Sequence, residues 1–316
     1  MSAWLLSGAG LAVLLVAGDL LVRGAVNLSL RVGIPALIVS LTIVAFGTSA
    51  PELLIGISAV QEGKPGLALG NVVGSNTANV LLVLGLPALV SRMHTSRLDT
   101  RRSYLVMIVA SVAFVALCFL GPLTWSSGLV LLAALAAVLW DQVRVARRHM
   151  AADRTEDEIA DLEGADPDMP WWRIALFLAL GLAGLPIGAD LLVDNASIIA
   201  SDFGVSDAVI GLTLVALGTS LPELATTVMA GLRGQADVAM GNAIGSNLFN
   251  LLGIIGATTL FGAIPVEQEF LQFDLWVMLA ASLLLAPFAL LRVDLGRRWG
   301  GLLTMLYLLY VTVVLS

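Results

Sequence analysis

Apolar runs of about bilayer-spanning length follow one another along this chain, separated by short polar breaks. The pattern predicts ten membrane-spanning helices, at about 4–22, 36–60, 66–90, 104–120, 123–143, 171–193, 207–231, 237–260, 274–291 and 299–315. The longest polar stretch, about 146–170, divides five spans from five. The expected organisation is therefore residues 1–145, a polar loop at 146–170, and residues 171–316. Loop charges orient the chain. All 15 arginines fall on one side of the ten-span arrangement, and the basic residue opposite them is Lys64. By the positive-inside rule the odd-numbered loops and the 146–170 loop are cytoplasmic, and both termini lie outside. Five spans per half is an odd number, so the second half enters the membrane upside down relative to the first. Inverted repeats of this kind are a transporter architecture, with the site near the midplane at the repeat interface.

A repeat is written in the residues themselves. LTIVAFGTSAPEL (Leu41–Leu53) and GNVVGSNTAN (Gly70–Asn79) return, 171 residues later and without a gap, as LTLVALGTSLPEL (Leu212–Leu224) and GNAIGSNLFN (Gly241–Asn250). Ten of 13 and six of 10 positions are identical. Packing asks only for apolar bulk, whereas polar side chains inside apolar spans are costly and mark function.

Composition agrees with a membrane solvent: 59% of residues are apolar, 12% are charged, and the mean hydropathy is +0.96. A soluble domain carries about twice that charge. The net charge of −7 comes mostly from the central loop, where Asp153–Asp168 holds eight carboxylates, and implies no nucleic-acid partner. That loop lacks the glycine and alternating oxygen donors of an EF-hand and reads as a solvated linker. The start of the chain has no basic leader or cleavage site and reads as the first span. The single Cys118 allows no intrachain disulfide. Trp4, Trp125, Trp171, Trp172 and Trp299 fall near span ends, as interfacial anchors do.

Glu52 and Glu223 fall near the middle of spans 2 and 7, and Asn79 and Asn250 near the middle of spans 3 and 8. The structural reading of Ser49-x-Pro51-Glu52 and Ser220-x-Pro222-Glu223 is a capping box on a restarted helix. A helix broken at membrane depth survives only inside protein or beside a water-filled cavity. Thr48 and Ser49 share a helix face with Glu52, as Ser75 does with Asn79. Pooled over both copies, the side chains and the carbonyls freed near Ala45 and Ala216 make an all-oxygen set of formal charge about −2, which suits hard cations such as Ca²⁺ and Na⁺. No motif contains His94, His149 or Cys118, which argues against Zn²⁺ or Cu⁺. Asp19 and Asp190 also obey the 171-residue offset and read as interfacial or capping carboxylates, with ion entry as the alternative.

These paired motifs, GTSxPE and GNxxGSNxxN in each half, closely resemble the compact prokaryotic form of the sodium/calcium exchangers of the cation/calcium exchanger superfamily. The resemblance covers essentially the whole chain. It implies a multi-pass protein of the prokaryotic inner membrane that exchanges Na⁺ for Ca²⁺, with no cofactor and no obligatory protein partner beyond the lipid bilayer. It implies Glu52 and Glu223 as the central Ca²⁺ ligands that also serve Na⁺. Thr48, Ser49, Ser75, Thr219, Ser220 and Ser246, the carbonyls of Ala45 and Ala216, and the amides of Asn79 and Asn250 complete the set. Spans 1 and 6 are then the pair that slides across the ion-binding core. Some members of the family, including potassium-dependent exchangers, carry aspartate at the position of Asn250, so the amide here points away from a K⁺ requirement. The alternatives are H⁺/Ca²⁺ or K⁺-dependent exchange on the same fold, and, from other classes, a cation channel or a membrane enzyme. Inverted halves converging on one site disfavour a channel, and no nucleophile–base pair supports an enzyme.

Overall fold

The computed structural model describes residues 2–150, 166, 168–204 and 216–314. Most of the acidic stretch from Asp153 to Asp168, and the first part of the span expected at 207–231, lie outside the described residues. The regular elements of the described residues are helices, without a strand: α1 (Ser2–Val32), α2 (Ala36–Thr48), α3 (Ala50–Gln61), α4 (Pro65–Val90), α5 (Arg101–Phe119), α6 (Trp125–Met150), α7 (Trp171–Asp202), α8 (Leu221–Leu232), α9 (Ala236–Thr258), α10 (Phe270–Leu290) and α11 (Arg297–Val314). Seven of these are long and apolar enough to cross a membrane, and the bent pair α2–α3 makes an eighth. Of the other two expected spans, one is described only in part, and the other, α11, opens on Arg297 and Arg298.

Several boundaries move outward from the expected ones. Helix α1 runs 31 residues and α7 runs 32. At 1.5 Å per residue each measures about 46–48 Å, well beyond a ~30 Å hydrocarbon core. The expected spans end at about 22 and 193, just past Asp19 and Asp190, but the helices continue to Val32 and Asp202, because charge on a helix surface does not break its backbone. Asp19 pairs with Arg23 one turn on at 3.0 Å, and with Arg233 just beyond α8. Asp19 is thus held between two arginines, while Asp190 is exposed. Helix α6 likewise runs on to Met150, past the expected end of its span.

Depth divides the helices into two groups. In α4 and α9, 78% and 94% of the central residues are buried, against 33% and 22% in α1 and α7. The core is therefore built on α4 and α9. The long helices α1 and α7 lie outside it, antiparallel and backbone to backbone. A Cβ on Gly10 would stand 2.6 Å from Leu192 N, and one on Gly181 would stand 2.6 Å from Leu21 Cβ. These are one contact seen twice, since Gly10 and Leu21 are the 171-residue partners of Gly181 and Leu192. The inverted pairing recurs in the loops. Met93 and Leu295 exchange backbone hydrogen bonds at 3.0 and 3.1 Å, and Ile264, the partner of Met93, exchanges a pair with Leu123 at 2.8 Å. Gly63 and Gly234 close α3 and α8 with φ of +75° and +66°, the left-handed conformation that glycine adopts without strain. Around the Met93–Leu295 clasp, Asp294 accepts from the Ser96 amide at 3.1 Å and from Arg92 at 2.9 Å. Hydrogen bonding to Ser96, helped by the charge of Arg92, holds the Asp294 carboxyl below its ordinary range.

The expected tryptophan anchors are exposed at Trp4, Trp125, Trp171 and Trp172, with Arg31 over Trp171 and Arg173 over Trp172. Trp299 differs. It is half-buried, edge-on to Phe288 at 5.2 Å, because the start of α11 packs against the end of α4, where a Cβ on Gly300 would stand 2.7 Å from Gly85 O.

Candidate functional site

Pro51 lacks an N–H, and its ring opposes the carbonyl of Gly47, so the helix begun at Ala36 cannot continue through it. Ser49 leaves helical geometry (φ −88°, ψ 6°), and the axis bends 41° before α3 resumes. Ser220 does the same (φ −87°, ψ 0°) ahead of Pro222 and α8. The break itself is as expected, but the capping box is not made. Neither serine caps its own helix by its side chain. Ser49 Oγ instead donates across the repeats to Glu223 Oε1 at 2.9 Å. A carboxylate that accepts a hydroxyl from the other half of the protein competes better than a backbone amide that water or the chain itself can satisfy.

Glu52 and Glu223 sit in the first turns of α3 and α8, 1% and 0% exposed. Glu223 Oε1 also accepts from Ser246 Oγ at 3.4 Å. Glu223 Oε2 and both carboxylate oxygens of Glu52 have no hydrogen-bond partner among the described residues. Buried carboxylate oxygens without donors are expensive, and a cation is the partner that such a cluster suits. Ser75 and Ser220 are buried in the same region of the fold, on α4 and at the head of α8.

The asparagines lie where the two core helices cross. Asn79 begins a π-helical turn, Asn79–Val83, and Asn250 lies in its counterpart, Phe249–Ile254. Such turns are frequent at functional sites. Asn79 Nδ2 donates to Asn247 Oδ1 at 3.0 Å, leaving Asn79 Oδ1 unpartnered among the described residues, as are both polar atoms of Asn250. Close approach of the core to α2 depends on two glycines of α9: a Cβ on Gly241 would meet Leu37 O at 2.9 Å, and one on Gly245 would meet Leu41 O at 2.6 Å.

Two expectations shift in detail. The Ala45 carbonyl is not left free by the break, because it accepts from Ser49 N at 3.1 Å and lies 3.3 Å from Thr48 Oγ1. At the second break the matching amide, Ser220 N, donates to Leu217 O at 3.0 Å instead, one residue past Ala216. The side chains of Asn71, Asn76, Asn242 and Asn247 lie inside the quoted motifs but were not among the expected ligands. Asn242 Oδ1 takes the Thr48 hydroxyl at 3.3 Å, and Asn71 Oδ1 takes the Thr219 hydroxyl at 3.4 Å. Asn76 and Asn247 reach sulphur atoms of Met278 and Met107, each at 3.8 Å. The signal for all four was present, since each asparagine recurs at the 171-residue offset.

The arrangement is a buried cluster of oxygens contributed by both halves, with two carboxylates at its centre. Comparison with known proteins identifies the family. The chain matches the family described as Sodium/calcium exchanger protein over residues 2–143 and 173–316. It is 37% identical to the putative antiporter CaxA of Alkalimonas amylolytica over 87% of this chain and 86% of that protein. It is 32% identical to the sodium/calcium exchanger MaX1 of Methanosarcina acetivorans over 97% and 96%. The solved structure of the sodium-calcium exchanger NCX_Mj superposes with a TM-score of 0.83 at 30% identity, over 98% of this chain and 97% of that one. With a family match across both halves and a fold that follows it, this chain belongs to the sodium/calcium exchanger family.

Proposed function

We propose that the protein is a secondary antiporter that exchanges Na⁺ for Ca²⁺ at one shared site near the midplane, opened alternately to each side. The observation that carries this reading is the cross-repeat contact of Ser49 with Glu223, beside carboxylate oxygens without donors on both glutamates. Two carboxylates balance one Ca²⁺ or a set of Na⁺ ions, so occupancy by one cation excludes the other. Competition for a charge-limited site is the simplest physical basis for exchange. Glu52, Glu223, Thr48, Ser49, Ser75, Asn79, Thr219, Ser220, Ser246 and Asn250, with the carbonyls of Ala45 and Ala216, are the proposed ligands. The antiparallel pair α1–α7 packs outside the core along small residues, a contact suited to sliding, and we assign it the movement that exchanges access. The names of the relatives, a sodium/calcium exchanger and an antiporter, agree with this cargo.

Uptake of ⁴⁵Ca²⁺ into proteoliposomes under imposed gradients tests the reading. An outward Na⁺ gradient should drive uptake without K⁺ and without a pH gradient. Uptake driven by a pH gradient in the absence of Na⁺, or an absolute need for K⁺, would move the protein to the alternative couplings, and uptake without any counter-ion would make it a channel. We further propose that both termini face outside and the arginine-rich loops face the cytoplasm. Glu62→Cys and Arg97→Cys place thiols at exposed positions on opposite sides, against a background in which Cys118 is buried. An impermeant maleimide applied to intact cells should label the first and not the second; the reverse result would invert the orientation.

A further inference from the structure

We infer that Asn71 and Asn242 are positioning residues that set the hydroxyls of Thr48 and Thr219 for cation binding, each acting across the interface between the two repeats. The inference rests on the exchange reading above and adds two residues to it. Each asparagine ties its own repeat to the opposite one. Asn242 Nδ2 donates to the backbone carbonyl of Glu223 at 3.3 Å, while its Oδ1 accepts from Thr48 of the other half. Asn71 Nδ2 lies 3.5 Å from the carbonyl of Glu52, while its Oδ1 accepts from Thr219. The two sets are one constellation seen twice, since all three residues of one map onto the other by the same offset.

The chemistry follows from where the protons go. A hydroxyl carries one proton and two lone pairs, and it binds a cation only with the lone pairs. Its proton therefore needs an acceptor that the cation does not use. Thr48 Oγ1 has three acceptors within reach, the carbonyl of Ala45 and Asn242 Oδ1, both at 3.3 Å, and the Glu223 carboxylate. Ala45 O and Glu223 are themselves proposed ligands, which leaves Asn242 as the acceptor that does not compete with the ion. The amide cannot reverse its role. A flipped Asn242 would turn Oδ1 toward the Glu223 carbonyl, an acceptor with no proton to give, and only the hydroxyl of Thr227, which now receives Nδ2 at 3.2 Å, could adapt by donating. The carbonyl of the glutamate thus fixes the amide, the amide fixes the threonine proton, and the threonine lone pairs are left for the site. A buried asparagine that only filled space would have no reason to join the glutamate of one repeat to the threonine of the other, in both copies.

The test is a double-mutant cycle read by Ca²⁺ dependence. Asn242→Ala should raise the KM for Ca²⁺ about tenfold, the scale of one net hydrogen bond to a buried group, with the maximal rate of exchange little changed. Thr48→Val removes the hydroxyl that Asn242 positions. In that background Asn242→Ala should add less than about twofold, because interacting residues are not additive. Asn71→Ala with Thr219→Val forms the second cycle, at a copy where the asparagine is only half-buried, and serves if Asn242→Ala does not fold. Ca²⁺-dependent thermal stabilisation of the detergent-solubilised proteins is read in parallel. It reports cation affinity even if wild-type flux proved not to be coupled to Na⁺, so failure of the exchange reading and failure of this one stay distinct. A wild-type KM in the alanine variants, or losses that multiply fully in both cycles, would overturn the inference.

Discussion

Glu52→Gln and Glu223→Gln should each abolish Na⁺-driven Ca²⁺ uptake while leaving a folded protein. The amide keeps the shape and volume of the carboxylate. It removes one of the two negative charges that balance a divalent ion, in a site where both side chains are almost fully buried. A Ca²⁺ ion entering the Gln variant is left with an uncompensated positive charge away from water, and breaking a buried charge pairing costs about 3–5 kcal/mol. Each 1.4 kcal/mol is a factor of ten in affinity, so the loss is at least about a hundredfold. Folding should survive for the same electrostatic reason. The carboxylate oxygens of Glu52 have no donor among the described residues, and replacing one of two neighbouring anions by a neutral group relieves that arrangement. Purified variants should therefore elute as wild type does and melt no lower without Ca²⁺, yet gain no thermal stability when Ca²⁺ is added. A glutamine variant that transports at the wild-type rate would remove the shared site.

Asn250→Asp should leave the protein able to exchange but make transport newly sensitive to pH or to K⁺. The amide contributes a neutral oxygen, so the site keeps a charge of about −2. Both polar atoms of Asn250 are buried without a partner among the described residues. An aspartate there adds a third negative charge with nothing nearby to neutralise it. Charge balance then demands either a proton or a further monovalent cation, and each leaves its own signature. Proton uptake makes flux fall or rise across a pH series between about 6 and 9, and a monovalent partner makes it respond to K⁺ at constant pH. Na⁺-driven ⁴⁵Ca²⁺ flux in proteoliposomes, with and without K⁺ at each pH, separates the two. An active aspartate variant with unchanged profiles would place residue 250 outside the ion site, and an absolute K⁺ requirement in the wild type would overturn the reading of the asparagine.

The sequence by itself determined the solvent, the helical class and the repeated polar residues from which the candidate site is proposed. Apolar run length is a local property that needs no partner to be read, and most helix ends lie within a few residues of the expected ones. The polar repeats were legible because packing gives no reason for Glu52 and Glu223, or for Pro51 and Pro222, to recur in apolar surroundings. Proline breaks a helix whatever surrounds it, so the discontinuity of the second span was legible too. Only the tertiary structure decided the partners. The sequence pattern offered Ser49 as a cap for its own helix, but the fold brings Glu223 within 2.9 Å of it. Asn71 and Asn242 were visible as repeated letters, but their role depends on contacts between residues 148 and 194 positions apart. The partners of Asp19 were also a tertiary matter, since one of them, Arg233, lies just beyond α8 in the other half. A repeat in sequence states which side chains matter to both halves. It does not state which half each of them serves, because hydrogen bonds across an interface leave no periodicity in either strand of the pattern.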